Sequence, residues 1–105
     1  MSHTEEVAFS IITEAGEGRA KIKEALSYAR QGDFAKADHS LQEADTHFLK
    51  AHRLQTEELL KKEADGSLQD PFNVLIAHAQ DYVMTGMAMR DMGEEMIHLY
   101  RRLPQ

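Results

Sequence analysis

The sequence predicts an all-α protein, a three-helix antiparallel up-down bundle, and three observations predict it. Its 105 residues are rich in Ala, Leu, Glu, Lys, Gln and Met and include only two prolines, a composition that favours helix and leaves little β-branched material for a sheet. Only two stretches carry strong turn chemistry, Gln31-Gly32-Asp33 and the run from Ala64 to Pro71. The three segments they separate repeat apolar or small residues in steps of three and four, the helical period. The length suits one domain, residues 1–105, because a chain this short fills a single core.

The first helix, about 4–31, carries its stripe on Val7, Ile11, Ala15, Gly18, Ile22, Ala25 and Ala29. Gly32 suits a left-handed helix stop and Asp33 an N-cap, so the second helix runs over about 33–65. Its stripe is Phe34, Ala37, Leu41, Ala44, Phe48, Ala51 and Leu59, with Gln55 among them. Gly66 then reads as a C-terminal cap, Asp70 as the next N-cap and Pro71 as the first helical residue of a third helix over about 71–103. That helix carries one stripe through Leu75, Ala79, Tyr82, Gly86, Met89, Gly93, Met96 and Tyr100, and another through Val74, Ala77, Met84, Ala88 and Met92. A helix apolar on more than one face needs cover from more than one direction. Two neighbours joined by short loops supply only part of that cover, so self-association is expected.

Charge and composition exclude several functions. The net charge is −6 with scattered cations, which leaves no basic footprint for nucleic acid. No cysteine is present, so disulfides, thiolate metal sites and cysteine nucleophiles are absent. The N-terminal segment lacks the basic and apolar regions of a signal peptide. The longest apolar run, Val74–Ala77, is far short of the ~20 residues that span a bilayer. A soluble, cytoplasmic protein is expected. No Gly-rich phosphate loop and no serine nucleophile elbow is present.

Candidate chemistry centres on Ile76-Ala-His-Ala-Gln-Asp-Tyr-Val-Met84. His78 and Asp81 lie one turn apart, among apolar neighbours and beside Gln80, which can donate or accept. A solvated histidine and a surface aspartate would account for the pair. Equally, an imidazole neutral near physiological pH can act as a phosphoryl acceptor or a general base, and a carboxylate amid apolar residues calls for a partner, a metal or a proton. Spacing alone does not choose.

Three further groups have blander explanations. His39, Glu43 and His47 have metal-ligand spacing, but a structural zinc site needs four convergent ligands, so a solvated face explains them better. Glu95 and His98 form half of a di-iron signature that must occur twice. The series Met84, Met87, Met89, Met92 and Met96 reads as packing material, not a soft-metal site.

The chain resembles the lactose/cellobiose (chitobiose)-type enzyme IIA components of the bacterial phosphoenolpyruvate-dependent sugar phosphotransferase system. The residues that carry this are Ile11-Ile12-x-x-Ala15-Gly16, Ala25-x-x-x-Ala29-x-x-Gly32-Asp33-Phe34, Ala51-His52-x-x-Gln55-Thr56 and, most specifically, His78-Ala79-Gln80-Asp81 followed by Met84-Thr85. The resemblance implies a three-helix bundle that trimerises into a nine-helix assembly. It implies that His78 accepts a phosphoryl group, on Nε2, from the phosphocarrier HPr and passes it to a cysteine of the sugar-specific IIB component. Through IIB the protein would associate with the membrane transporter without inserting in the membrane. Asp81 from each subunit would meet a divalent cation, Mg2+, on the trimer axis, and Gln80 would support the phosphoryl group by hydrogen bonding. Tyr82 departs from the pattern, since a histidine is common there. The competing functions are a non-catalytic helical adaptor and a metal-binding bundle, with His78 structural in either.

Overall fold

The computed structural model describes residues 1–104; Gln105, the last residue of the expected domain, lies outside them. Helix α1 is His3–Arg30. It starts where Ser2 caps it, the hydroxyl accepting from the Glu5 amide at 3.1 Å and donating to the Glu5 carboxylate at 3.2 Å, which satisfies an amide the helix cannot. Gly32, at φ 81°, makes the left-handed exit that a Cβ would strain, and Asp33 caps α2, Phe34–Leu54, by accepting from the Lys36 amide at 3.2 Å. The same rod continues as a π-helical stretch, Gln55–Leu60, and then as α3, Lys61–Asp65, closed by Gly66 at φ 81°.

Helix α4 is Val74–Arg102, which corrects the expected start at Pro71. Asn73 and not Asp70 is the N-cap: its backbone is extended and its side chain accepts from the Ile76 amide at 3.0 Å. Asn and Asp are comparable caps, so the residue type did not decide between them. Pro71, Phe72 and Asn73 are instead an exposed extended lead-in.

The three rods form an elongated antiparallel bundle, 55 × 22 × 19 Å, in which α1 packs along both α2 and α4. Every residue of the predicted α1 stripe is buried. So is the second stripe from Ala37 to Leu59, Gln55 included, while Phe34 is half-buried. In α4 the core face overlaps the first predicted stripe, whose Ala79, Gly86 and Gly93 are buried, and adds Ile76, Val83 and Ile97, which neither predicted stripe contained; Val74, Met84, Ala88 and Met92 of the second stripe are exposed. Phe48, only 3% exposed, fills a notch where the rods cross. A Cβ at Gly18 would lie 2.8 Å from its ring and one at Gly86 2.6 Å, so glycine at both positions is what admits the ring. Burying such a side chain contributes about 2 kcal/mol.

One charge stands in the core register of α4. Arg90 occupies the position between Val83 and Ile97 in steps of seven, and its guanidinium reaches Asp45 on α2 by two hydrogen bonds of 2.5 and 2.9 Å, with Glu94 at 3.2 Å. The Asp45 carboxylate, ahead of Glu94, raises its affinity for the proton further. Nearer the C-terminal end, Arg101 pairs with Asp38 and covers the Phe34 ring, so two arginines tie α4 to α2.

Candidate functional site

Asn73 sets the start of α4, and that start places His78 in the second turn, with its side chain exposed. Among the described residues the His78 side chain makes no hydrogen bond or ion pair, and its ring contact is with Tyr82, four residues on: the rings stack with centroids 5.6 Å apart and planes inclined by 23°. Four residues is one turn, which puts the two rings on the same side of the helix.

Tyr82 is held from α1. The Arg19 guanidinium lies over its ring, 4.5 Å from the centroid. Arg19 Nη1 also donates to the Tyr82 carbonyl at 3.4 Å and to Thr85 Oγ1 at 3.1 Å, while the Thr85 hydroxyl donates to the Asp81 carbonyl at 2.6 Å. The ring edge faces Gly16, where an added Cβ would make only ordinary van der Waals contact, 3.7 Å from Tyr82 Cε2 and 3.8 Å from its hydroxyl. Arginine, tyrosine and histidine thus form one continuous layer across the α1/α4 seam.

Asp81 is exposed, and among the described residues its carboxylate makes no hydrogen bond or ion pair within the subunit. It sits at the centre of an exposed apolar face of α4, with Val74 (85% exposed), Met84, Ala88, Met92 (67%) and Leu99 (64%). Gln80 is half-buried. Two residues correspond to about 200° of helix rotation, so within one subunit its side chain leaves α4 on the far side from His78. Any hydrogen bond from Gln80 to a group on His78 would have to cross from another subunit.

The remaining candidates disperse. His39 meets Glu43 at 3.5 Å on the surface, whereas His47 turns to α1 and bonds Glu14 at 2.8 Å, so the three do not converge. Glu14 also holds Lys50 at 3.1 Å; the His47 hydrogen bond first, and Lys50 after it, keep its carboxyl below the usual range despite partial burial. Glu95 and His98 are exposed. Met87 and Met89 pack against the core, but Met84, Met92 and Met96 face outward and belong to the exposed stripe. Among the described residues of one chain, no three His, Asp or Glu gather as a metal site, and no helix is long and apolar enough to cross a membrane. Arg19 escaped the sequence reading, since nothing marks one scattered cation as the partner of a ring 63 residues away. Tyr82 could have been found from its one-turn spacing to His78.

The bundle thus presents the His78 ring at the surface, stacked on Tyr82. The chain belongs to the lactose/cellobiose-specific IIA subunit family of the phosphotransferase system, whose family model matches residues 6–101. It is 39% identical over 101 residues to the lichenan-specific phosphotransferase enzyme IIA component of Bacillus subtilis, covering 96% of this chain and 90% of that one. It is 40% identical over 96 residues to a lactose-specific EIIA component of Staphylococcus aureus, covering 91% of each. Among solved structures, the cellobiose-specific enzyme IIA from Bacillus anthracis superimposes with a TM-score of 0.91 at 35% identity, over 97% of this chain and 92% of that one. The chitobiose IIA in its HPr complex, from the N,N'-diacetylchitobiose branch of the Escherichia coli system, superimposes with a TM-score of 0.81 at 29% identity, over 97% of each chain.

Proposed function

We propose that this protein is a phosphoryl carrier that accepts phosphate from phospho-HPr on His78 and passes it to a cysteine of a IIB component. The observation that carries the reading is the His78 ring itself, exposed and free of hydrogen bonds within the subunit yet supported on one side by Tyr82. The lone pair of a neutral ring nitrogen, Nε2 in this reading, attacks phosphorus. The donor's N–P bond breaks as the new N–P bond forms, and the donor imidazole leaves neutral. Onward transfer repeats the exchange with a thiolate as acceptor. Such transfer needs position and charge stabilisation more than covalent machinery. A partner docked over the exposed His78 ring would exclude water while the phosphoryl group moves. A relative solved in complex with HPr supports HPr as the donor.

The same reading makes the protein a homotrimer. What supports this is the uncovered apolar face of α4 with Asp81 at its centre. One exposed carboxylate cannot hold a cation alone, but three brought together on an axis would repel unless a divalent cation, Mg2+, lay between them. Asp81 of each subunit would hold it, and it would supply charge neutralisation away from the phosphoryl chemistry. Gln80 of a neighbouring subunit would then be the one able to reach the His78 region.

The test is incubation with phosphoenolpyruvate, enzyme I and HPr. An acid-labile gain of about 80 Da, one phosphoryl group, is expected on the wild type and not on His78→Ala. No gain on the wild type, or an equal gain on the variant, would overturn the carrier reading.

A further inference from the structure

We propose that Tyr82 is the positioning residue of the phosphoryl site, orienting the His78 ring for transfer, and that Arg19 on α1 holds Tyr82 in place for that purpose. This deepens the carrier reading and rests on it. An exposed histidine with no hydrogen bond can sample several side-chain rotamers, whereas in-line transfer requires the attacking nitrogen near one orientation. The ring stack with Tyr82 is the contact that restricts His78. Tyr82 is in turn restrained by the guanidinium over its ring and by the hydrogen bond from Arg19 to its carbonyl. Arg19 is fixed by its second bond, to Thr85. Orientation therefore passes from α1 through Arg19 and Tyr82 to the imidazole, and it places a guanidinium one ring away from where the phosphoryl dianion forms. A histidine at position 82 could stack, but with a smaller face for the guanidinium.

Phosphoryl transfer from phospho-HPr would be followed by rapid quench, with the modified residue mapped by mass spectrometry, beside the three-bond couplings that report the His78 χ1 angle. Tyr82→Phe keeps both ring contacts and should transfer within about twofold of wild type, with one χ1 rotamer. Tyr82→Leu should lower the rate at saturating phospho-HPr by roughly tenfold to a hundredfold, leave KM near wild type, and show averaged couplings. Arg19→Gln, which keeps a tyrosine at position 82 but removes the guanidinium over its ring, should lower the rate by a few-fold and broaden the His78 rotamer distribution. A wild-type rate with a single rotamer in either Tyr82→Leu or Arg19→Gln would overturn the positioning role. So would a loss confined to KM. Phosphate found elsewhere than His78 in the wild type would overturn the carrier reading itself, so the two failures are distinguishable.

Discussion

Helix α4 has two largely apolar faces on opposite sides, an inner one interrupted by Arg90 and an outer one interrupted by Asp81 and, two heptads on, by Glu95. On the inner face Arg90 stands among Ile76, Val83 and Ile97; on the outer face Asp81 stands among Val74, Met84 and Ala88. Arg90 finds its counter-charges inside the chain, on Asp45 and Glu94. Asp81 finds none there among the described residues. Arg90 is only partly exposed and depends on those counter-charges, whereas Asp81 is exposed and water solvates its carboxylate. The fold therefore uses one charge internally and leaves the other available at the surface.

Substitutions on the two faces should separate them, and the inner face should give the largest effects on folding. Ile97→Ala removes a side chain that is 1% exposed and should lower stability by about 3 kcal/mol in urea unfolding. Met92→Ser on the outer face should alter the folding of a subunit by less than about 0.5 kcal/mol, while lowering the mass seen in sedimentation. Equal effects of the two on unfolding, with no change of mass, would break the comparison. Gly86→Ala comes next. The added Cβ would meet the Phe48 ring at 2.6 Å, and the overpacking, about 2 kcal/mol, should exceed the ~1 kcal/mol that alanine gains as a helix former. A rise in melting temperature would show that Phe48 has room to move.

The charges themselves give the third contrast. Arg90→Leu leaves Asp45 and Glu94 side by side without their cation; both are substantially exposed, so solvent screening holds the loss to about 1 kcal/mol. Asp81→Leu should leave the trimer intact or tighter in sedimentation, with or without chelator, because three converging carboxylates are replaced by apolar side chains. Dissociation to monomers would mean that the cation, and not the apolar face, holds the assembly. A wild-type monomer under both conditions would remove the trimer altogether.

How much of this was legible in the sequence also divides along the helices. In α1 every residue of the stripe read from Val7 to Ala29 is buried, with Ala8 beside it the one further buried residue in that range, because most residues on the other sides are polar and one face fits the period best. In α4 apolar residues occur almost all round, so steps of three and four trace several faces equally well; the first stripe catches Ala79, Gly86 and Gly93 of the core face but not Ile76, Val83 and Ile97, whose register Arg90 interrupts. The π-helical stretch at Gln55–Leu60 has no marker in residue type, and Asp70 and Asn73 are equivalent as caps until the chain folds. At the site, His78 and Asp81 stood out as polar residues in apolar company, and Tyr82 was seen only as a departure from a pattern. Arg19 was invisible because its role depends on how α1 crosses α4.

The smallest effect expected lies off α4, where Glu14 on α1 bonds His47 and Lys50 on α2. Like Arg90, Glu14 is compensated within the chain, but its partners are closer to solvent. Its carboxyl is held below the ordinary value of 4.5, mainly by the His47 hydrogen bond. A carboxyl that binds its proton less readily when folded stabilises the fold above its unfolded value, and that contribution fades as pH falls from there through the lowered one. Glu14→Gln should therefore cost a few tenths of a kcal/mol at pH 6, within the usual range of surface substitutions. The difference between wild type and variant should narrow below pH 4.5, as measured by urea unfolding across the range. If the difference widened on acidification, Glu14 would be more easily protonated in the folded chain than in the unfolded one. The His47 bond would then not be the compensation that distinguishes this pair from the uncompensated Asp81.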